Sequence, residues 1–188
     1  RGLVPAGGPP SAGLGLTGAG PKAKVAAMSA EQDGAAGLPA EEDRHWMARA
    51  LREARAALEE DEVPVGCVVV RAGRILARSH NQTERLADPT AHAEMIALTQ
   101  AAAALGRPRL TGCTLFTTLE PCFMCAGACV LARLDRVVFG ARDPKFGACG
   151  SLWDLPRDPR TNHALVVAEG VLAEEAAELL RAFFRGRR

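Results

Sequence analysis

The chain has 188 residues, with 23 basic and 22 acidic side chains and a formal net charge of +1 at pH 7. That length accommodates one domain of about 150 residues and a tail. The nearly balanced charge excludes a strong overall positive field, although a local basic patch is enough to contact the phosphates of a nucleic acid. No apolar run reaches the roughly 18 residues of a membrane span. The sequence therefore predicts a soluble protein.

The first 40 residues are rich in glycine, alanine and proline. Such a composition buries too little apolar surface to offset the entropy lost on ordering. We therefore predict a disordered tail over residues 1–40 and one domain over residues 41–188. The tail lacks the basic start and continuous apolar core of a signal peptide. Because Arg1 begins the chain and Met28 follows later, we hypothesise that the native protein starts at Met28.

The chain contains six cysteines. It is too long and too apolar to need a disulfide framework, so a reducing cytoplasm is the expected compartment. Two of the six have a metal-binding interpretation, given below. The remaining four are assigned to packing: Cys67, Cys113, Cys129 and Cys149.

The first half of the domain predicts a helix, a hairpin and a second helix. Apolar residues over 41–59 recur with the 3.6-residue period of an amphipathic helix. A β-branched run over 63–70 and the segment 74–77 indicate two strands of a hairpin. A polar loop over 79–90 follows. The second helix is expected to bury Met95, Ile96, Leu98 and Leu105.

The second half alternates strands with helices. The predicted elements are a strand over 112–117, a helix starting at Pro121, a strand over 136–140, a glycine-rich loop over 141–151, a strand over 165–168 and a helix over 171–184. This alternation favours a largely parallel sheet with helices on both faces. The glycine-rich loop leaves the carboxyl end of a strand, where open α/β sheets place their active sites.

Two short motifs, His92-Ala93-Glu94 and Pro121-Cys122-Phe123-Met124-Cys125, indicate a catalytic zinc site. The two cysteines share one helix face, so both sulfurs can reach one ion. Pro121 suits the first helical turn, and the positive end of the helix favours thiolates. With His92 as the third ligand, a fourth position remains for water, as in catalytic zinc sites. The alternative interpretation is a buried histidine, two core cysteines and a carboxylate that only favours the helix dipole.

The two motifs together resemble the H-x-E and P-C-x-x-C signature of the zinc-dependent nucleobase deaminases. The stretches 62–70, 88–98, 118–128 and 137–155 and the closing LLRAFFRGRR are similar to the bacterial tRNA-specific adenosine deaminases. The resemblance implies a three-layer α/β/α sandwich with a five-stranded mixed sheet, one Zn²⁺ per chain and a homodimer. It implies no organic cofactor. It also implies that Glu94 moves protons while the wobble adenosine of a tRNA anticodon stem-loop is deaminated to inosine.

The resemblance further implies a set of substrate-binding residues. Asn81 matches a base-reading asparagine, Ala93 abuts the base, and Asp143, Lys145 and Phe146 match a segment that lines the RNA groove. Residues of the last helix and its end are expected to contact the RNA, including its phosphates: Arg181, Phe184, Arg185, Arg187 and Arg188. The alternatives are an asparagine that serves only a turn, a phenylalanine that anchors a loop on the core, and an ordinary charged helix end.

Two other functions remain open from the sequence. The first is a deaminase of free bases or nucleosides, acting on cytosine or guanine; the segment GARDPKFGACGS and the FFR ending argue against it, since a small substrate needs neither. The second is a non-catalytic RNA-binding subunit that keeps zinc for structure. Such a subunit is expected to lose the catalytic acid, and Glu94 is present.

Overall fold

The computed structural model describes residues 41–187, so the predicted disordered tail and Arg188 lie outside the described residues. In this range the elements follow in chain order: helix α1 (Glu41–Glu59), strands β1 (Gly66–Arg71) and β2 (Arg74–His80), short helix α2 (Thr83–Leu86), helix α3 (Ala93–Leu105), strand β3 (Cys113–Leu119), helix α4 (Phe123–Leu131), strand β4 (Arg136–Ala141), a 3-10 helix (Leu155–Arg157), strand β5 (Val166–Ala168) and helix α5 (Ala173–Arg185). None of these helices combines the length and apolarity needed to cross a membrane.

The strands form one mixed sheet in the order β2-β1-β3-β4-β5. Strand β1 pairs antiparallel with both β2 and β3, whereas β3 with β4 and β4 with β5 are parallel. Strands β2, β3, β4 and β5 therefore point the same way, and within the described part of the chain β1 alone is reversed. This confirms both the largely parallel direction and the five-stranded mixed sheet.

Helices cover both faces of the sheet and complete three layers. Helix α1 packs Met47 and Ala50 against Val68 and Phe116, and α5 joins it on this face through Ala176. On the other face, α3 and α4 pack against alternate residues of the same strands; this cluster includes Ala97, Ala101, Cys129, Cys67, Leu115 and Val137. The central strands β1, β3 and β4 are buried on both sides because helices cover both faces, whereas the edge strand β2 has several exposed residues. The predicted α/β/α sandwich is confirmed.

Close approach of α1 to β1 depends on one glycine. A Cβ built on Gly66 would overlap the backbone of Ala50 and Ala54 in α1. Strand β1 begins at Gly66 rather than at the predicted residue 63. The predicted loop over 79–90 is also shorter, because β2 continues to His80 and Thr83–Leu86 forms α2.

Helix α3 buries small side chains rather than the predicted large ones. Its buried residues are Ala93, Glu94, Ala97, Leu98 and Ala101. Burial of Leu98 is confirmed, and the partly buried Leu105 packs against the core. Met95 and Ile96 are only partly buried, so their assignment to the buried face is wrong. The alanines let the helix lie close to the sheet.

The four cysteines assigned to packing are all buried and free: Cys67, Cys113, Cys129 and Cys149. Three of them belong to the cluster under α3 and α4, and Cys149, which lies in the loop after β4, packs with Ala126 and Phe139. The packing assignment is confirmed for all four.

Candidate active site and metal centre

Several chain segments meet at one edge of the sheet. Because β2, β3 and β4 run in the same direction, their carboxyl ends lie at this edge. Asn81 follows β2, Cys122 comes shortly after β3, and the loop 142–151 follows β4. The amino-terminal end of the reversed β1, preceded by Glu62, reaches the same edge. This is where an open α/β sheet is expected to bind its ligand.

The three predicted metal ligands converge here. Nδ1 of His92 lies 3.7 Å from Sγ of Cys122 and 3.5 Å from Sγ of Cys125. Their ligand atoms all lie within 4.8 Å of one another. Between residues 41 and 187 this is the one group of three such side chains close enough to share an ion.

Both ligand segments are extended immediately before a helix. His92 (φ −68°, ψ 150°) is the N-cap of α3, and Cys122 (φ −68°, ψ 172°) is the N-cap of α4. The positive ends of two helices therefore lie next to the ligands. The prediction that Pro121 occupies the first turn is wrong, because α4 begins two residues later, at Phe123. The carbonyl of Cys122 still accepts the first helical hydrogen bond, from the N–H of Ala126 at 2.8 Å.

The donor set suits zinc. Tetrahedral zinc with nitrogen at about 2.0 Å and sulfur at about 2.3 Å separates such ligand atoms by about 3.6 Å, which agrees with the two measured N to S distances. Zinc requires thiolates. Hydrogen bonds, first from Cys125 and then from His92, lower the pKa of Cys122 to about 4 despite its partial burial, whereas the hydrogen bond with Cys122 and burial raise the pKa of Cys125. The types of the three side chains and their spacing, within 4.8 Å of one another, fit a zinc ion.

Glu94 lies in the first turn of α3 and is 4% exposed. Burial raises the pKa of Glu94 to about 7. A carboxylate can stabilise the helix dipole while it stays exposed to water, with no desolvation cost. The burial of Glu94 is therefore not explained by the helix dipole alone. A buried acid with a pKa near neutrality, beside a metal site, has the properties of a general acid and base.

Asn81 is 5% exposed and is held by Glu62. Its Nδ2 donates to Oε2 of Glu62 at 3.1 Å and to Oγ1 of Thr83 at 2.9 Å. The next peptide, the N–H of Gln82, donates to the carbonyl of Ala91 at 3.0 Å. These bonds place Asn81 beside the segment that leads into His92.

Ala93 is fully buried between the metal ligand His92 and the acid Glu94. Its carbonyl accepts a hydrogen bond from the Ser79 hydroxyl at 2.6 Å, which ties the start of α3 to the end of β2. Its small side chain leaves α3 close to the sheet at this point.

The loop after β4 brings the predicted RNA-contacting segment to the site. Oδ1 of Asp143 accepts the N–H groups of Lys145 (2.9 Å) and Phe146 (3.2 Å), so this carboxylate closes a turn. Lys145 is exposed, and Phe146 is 56% exposed. That exposure argues against the alternative in which Phe146 anchors the loop on the core.

The last helix presents its predicted RNA contacts to solvent. Arg181, Phe184 and Arg185 are all exposed, and Arg181 pairs with Glu174. Arg187 forms an ion pair with Asp61 at 2.5 Å, and its guanidinium lies 3.8 Å from the centroid of the Phe183 ring. The end of α5 is thus attached next to the segment that carries Glu62.

Two buried carboxylates at this edge, Glu62 and Glu120, were missed by sequence reasoning. Glu62 is 0% exposed although it ends the acidic run 59–62, which reads as a solvated surface. Glu120 follows β3 directly and accepts hydrogen bonds from the loop after β4. One feature of the sequence could have predicted their burial: each acid is next to an apolar strand segment rather than inside a polar segment.

Comparison with known proteins identifies the family. Residues 40–141, which include His92, Glu94, Cys122 and Cys125, match the model of the cytidine and deoxycytidylate deaminase zinc-binding region. The chain belongs to this deaminase family. It is 51% identical over 144 residues to the tRNA-specific adenosine deaminase of Bacillus subtilis (strain 168), a match that covers 77% of this chain and 89% of that protein.

Solved structures agree with this membership. One structure, from a study of A-to-I editing by tRNA:A34 deaminases at the wobble position of transfer RNA, is 49% identical with a TM-score of 0.70, covering 72% of this deaminase and 99% of that chain. A guanine deaminase from Nitrosomonas europaea is 26% identical with a TM-score of 0.64, covering 82% and 90% respectively. This family member is therefore an enzyme, and its metal is zinc.

Proposed function

We propose that this deaminase converts the wobble adenosine of a tRNA anticodon loop to inosine. The observation that carries the proposal is the convergence of His92, Cys122 and Cys125 within 4.8 Å of one another, with buried Glu94 in the adjoining helical turn. The substrate class follows from the 51% identity to a tRNA-specific adenosine deaminase. The wobble position follows from the similarity to the tRNA:A34 deaminase structure.

His92 would hold one zinc ion through Nδ1, and Cys122 and Cys125 would hold it through their sulfurs. When bound, zinc lowers the pKa of a coordinated water toward about 7 and so supplies hydroxide at neutral pH. Among residues 41–187 three side chains are placed to hold the ion, the number typical of catalytic rather than structural zinc sites.

Glu94 moves the protons of the reaction. It accepts a first proton from the attacking water and passes it to the ring nitrogen beside the amine-bearing carbon, then accepts the second proton from the added hydroxyl group and passes it to the departing amine. Water adds its oxygen to that carbon and ammonia leaves, so adenosine becomes inosine. Burial raises the pKa of Glu94 above its ordinary value, which favours uptake of the water proton.

The residues around the metal centre recognise an adenine base that is flipped out of the stack of the anticodon loop. Unstacking costs only a few kcal/mol where the base is unpaired, so a loop adenosine is accessible. Asn81 and Ala93 border the base site. Phe146 stacks on a splayed base, a common mode of single-stranded RNA recognition. Flanking nucleotides and phosphates contact Asp143, Lys145, Arg181, Phe184 and Arg185.

The structural similarity to a guanine deaminase supports a second candidate, deamination of a free base. Two features of this chain favour RNA instead. The turn with Lys145 and Phe146 and the basic end of α5 are exposed, and a free base is too small to need such surfaces. The third possibility, a non-catalytic zinc subunit, is disfavoured by the buried Glu94 with its raised pKa.

One assay separates the candidates. The purified protein is incubated with a transcribed anticodon stem-loop carrying adenosine at the wobble position and, separately, with guanine, cytosine and adenine. Inosine in the digested RNA and ammonia from the free bases are quantified. We expect inosine to form in the stem-loop and no ammonia to be released from the free bases. Turnover restricted to free bases would overturn the proposal, and turnover of neither substrate by zinc-loaded protein would favour the non-catalytic subunit.

Assembly and location complete the proposal. The family resemblance favours a homodimer, which sedimentation of the purified protein at micromolar concentration would test. A tRNA substrate favours the cytoplasm, which fractionation of cells expressing the native protein would test. A monomer, or a protein found outside the cytoplasm, would contradict these two points without affecting the chemistry.

A further inference from the structure

A single buried carboxylate connects the end of β3 to the loop that follows β4. Glu120 is 2% exposed and lies immediately after Leu119, the last residue of β3. Its Oε1 accepts the N–H groups of Cys149 and Ser151, each at 3.0 Å. Its Oε2 accepts the N–H of Asp143 at 3.0 Å and the hydroxyl of Ser151. The carboxylate therefore holds both the start and the end of the loop segment 143–151.

The loop is shaped around this carboxylate. A Cβ built on Gly147 would lie 2.5 Å from both Cδ and Oε2 of Glu120 and 2.5 Å from the carbonyl oxygen of Asp143. Since real Cβ atoms do not approach that closely, glycine is required for the loop to close over Glu120. The same part of the loop faces the metal ligands: Gly147 forms an antiparallel bridge with Cys122, and the N–H of Ala148 donates to the carbonyl of Pro121 at 2.9 Å.

Between the two anchored ends lies the exposed turn 143–146. Within the turn, the N–H groups of Lys145 and Phe146 donate to Oδ1 of Asp143, and the side chains of Lys145 and Phe146 are exposed. The position of the turn relative to the metal centre depends on the hydrogen bonds at its base. The N–H of Ala148 donates to the carbonyl of Pro121, and the N–H groups of Asp143, Cys149 and Ser151 donate to Glu120.

We propose that Glu120 is a positioning residue for the RNA substrate: it does not touch the RNA, but it holds the turn 143–146 in the arrangement that contacts nucleotides next to the target base. This inference rests on the proposed function, because the turn matters only if the substrate extends beyond one base. Ordering a loose turn at the moment of binding costs affinity, and an anchored turn avoids that cost. The effect of Glu120 is therefore expected on substrate binding rather than on the chemical step.

The test uses Glu120→Gln, which keeps the size of the side chain. Its amide offers one acceptor oxygen where four donors converge, and its NH₂ group faces other donors. Ser151→Ala is the milder second variant, since it keeps the carboxylate and removes one donor. Glu59→Gln, at an exposed position at the end of α1, is the matched control. For each variant, hydrogen–deuterium exchange of segment 142–151, zinc per chain, and kcat and KM on the anticodon stem-loop are measured.

In Glu120→Gln we expect exchange in segment 142–151 to accelerate by about tenfold, equivalent to about 1.4 kcal/mol and at the low end for hydrogen bonds to a charged group. We expect KM to rise by about tenfold, with kcat within about threefold of wild type and one zinc retained. Ser151→Ala should change exchange and KM in the same direction by less, and Glu59→Gln should change neither.

Three results would overturn the inference. The first is unchanged exchange and KM in Glu120→Gln. The second is a fall in kcat with no change in KM. The third is general unfolding of Glu120→Gln together with wild-type exchange and KM in Ser151→Ala. Failure of the proposed function is distinguishable, because wild-type protein would then leave the stem-loop unmodified; in that case the RNA-positioning role is rejected even if the exchange data show that Glu120 anchors the loop.

Discussion

The role of Glu94 can be tested with Glu94→Gln, which removes the proton-transferring group and keeps the shape of the side chain. Positioned general acids and bases contribute roughly 10²- to 10⁴-fold to turnover. At 4% exposure, Glu94 is shielded from bulk water that could carry protons in its place. We therefore expect a loss toward the upper end, about 10³- to 10⁴-fold in kcat, or about 4 to 5.5 kcal/mol of transition-state stabilisation.

The assay combines single-turnover inosine formation on the stem-loop with metal analysis and RNA binding. Because Glu94 is not one of the three clustered ligands, Glu94→Gln should retain one zinc per chain and bind the stem-loop as wild type does. Glu59→Gln serves again as the exposed control. Turnover within about fivefold of wild type in a variant that retains zinc would refute the assignment of Glu94 as the proton carrier.

Three further substitutions test the metal site and the fold. Cys125→Ser should lower zinc below one per chain in metal analysis, because a hydroxyl replaces a thiolate, whereas Cys113→Ala, in β3 away from the cluster, should keep it. Gly66→Ala should lower the free energy of unfolding by about 1 to 3 kcal/mol or more in urea titration, because its Cβ overlaps the α1 backbone; Gly127→Ala, where the space is open, should be neutral or raise it by up to about 1 kcal/mol. Glu62→Gln should lower the free energy of unfolding by about 1 to 3 kcal/mol at pH 7. Burial alone raises the pKa of Glu62, but hydrogen bonds from its neighbours outweigh burial and hold that pKa below 4.5. The contribution is therefore complete above about pH 4.5 and is lost as the pH falls through the lowered value, so wild type and Glu62→Gln should converge in acid; a difference that grows in acid would contradict this.

The zinc site was predictable because its information is local. Cys122 and Cys125 are three residues apart, and His92 and Glu94 are two apart, so each pair is placed by one helix start. The convergence of the two pairs then follows from family-like flanking sequence rather than from spacing. The error at Pro121 has the same origin: composition predicts that a helix starts near this residue, but only the extended backbone of Cys122 fixes the start at Phe123.

The supporting carboxylates were not predictable, because their partners are distant in the sequence. Glu120 accepts from residues 23 to 31 positions away, and Glu62 from residues 19 to 23 positions away. No periodicity connects such positions. The local sequence also suggests the opposite of burial for Glu62, because the acidic residues before it are typical of a solvated surface. Both carboxylates meet their partners because the fold brings the amino-terminal end of β1 and the carboxyl end of β3 to one edge of the sheet.

Both carboxylates solve the same physical problem at that edge. The segments 81–86 and 143–151 leave strand ends and contain N–H groups that neither a ladder nor a regular helix satisfies, yet they must stay ordered beside the metal. A buried ionised carboxylate accepts several such bonds at once: Glu62 accepts from Asn81, Thr83 and Arg85, and Glu120 accepts from three peptides and a hydroxyl. The reversed direction of β1 makes this possible, because it brings a residue that precedes a strand to the edge where other strands end. Under the proposed function, Glu62 anchors the segment beside the base and Glu120 the segment beside the neighbouring nucleotides. Substitutions at Glu62 should then affect recognition of the base, and substitutions at Glu120 recognition of the flanking RNA.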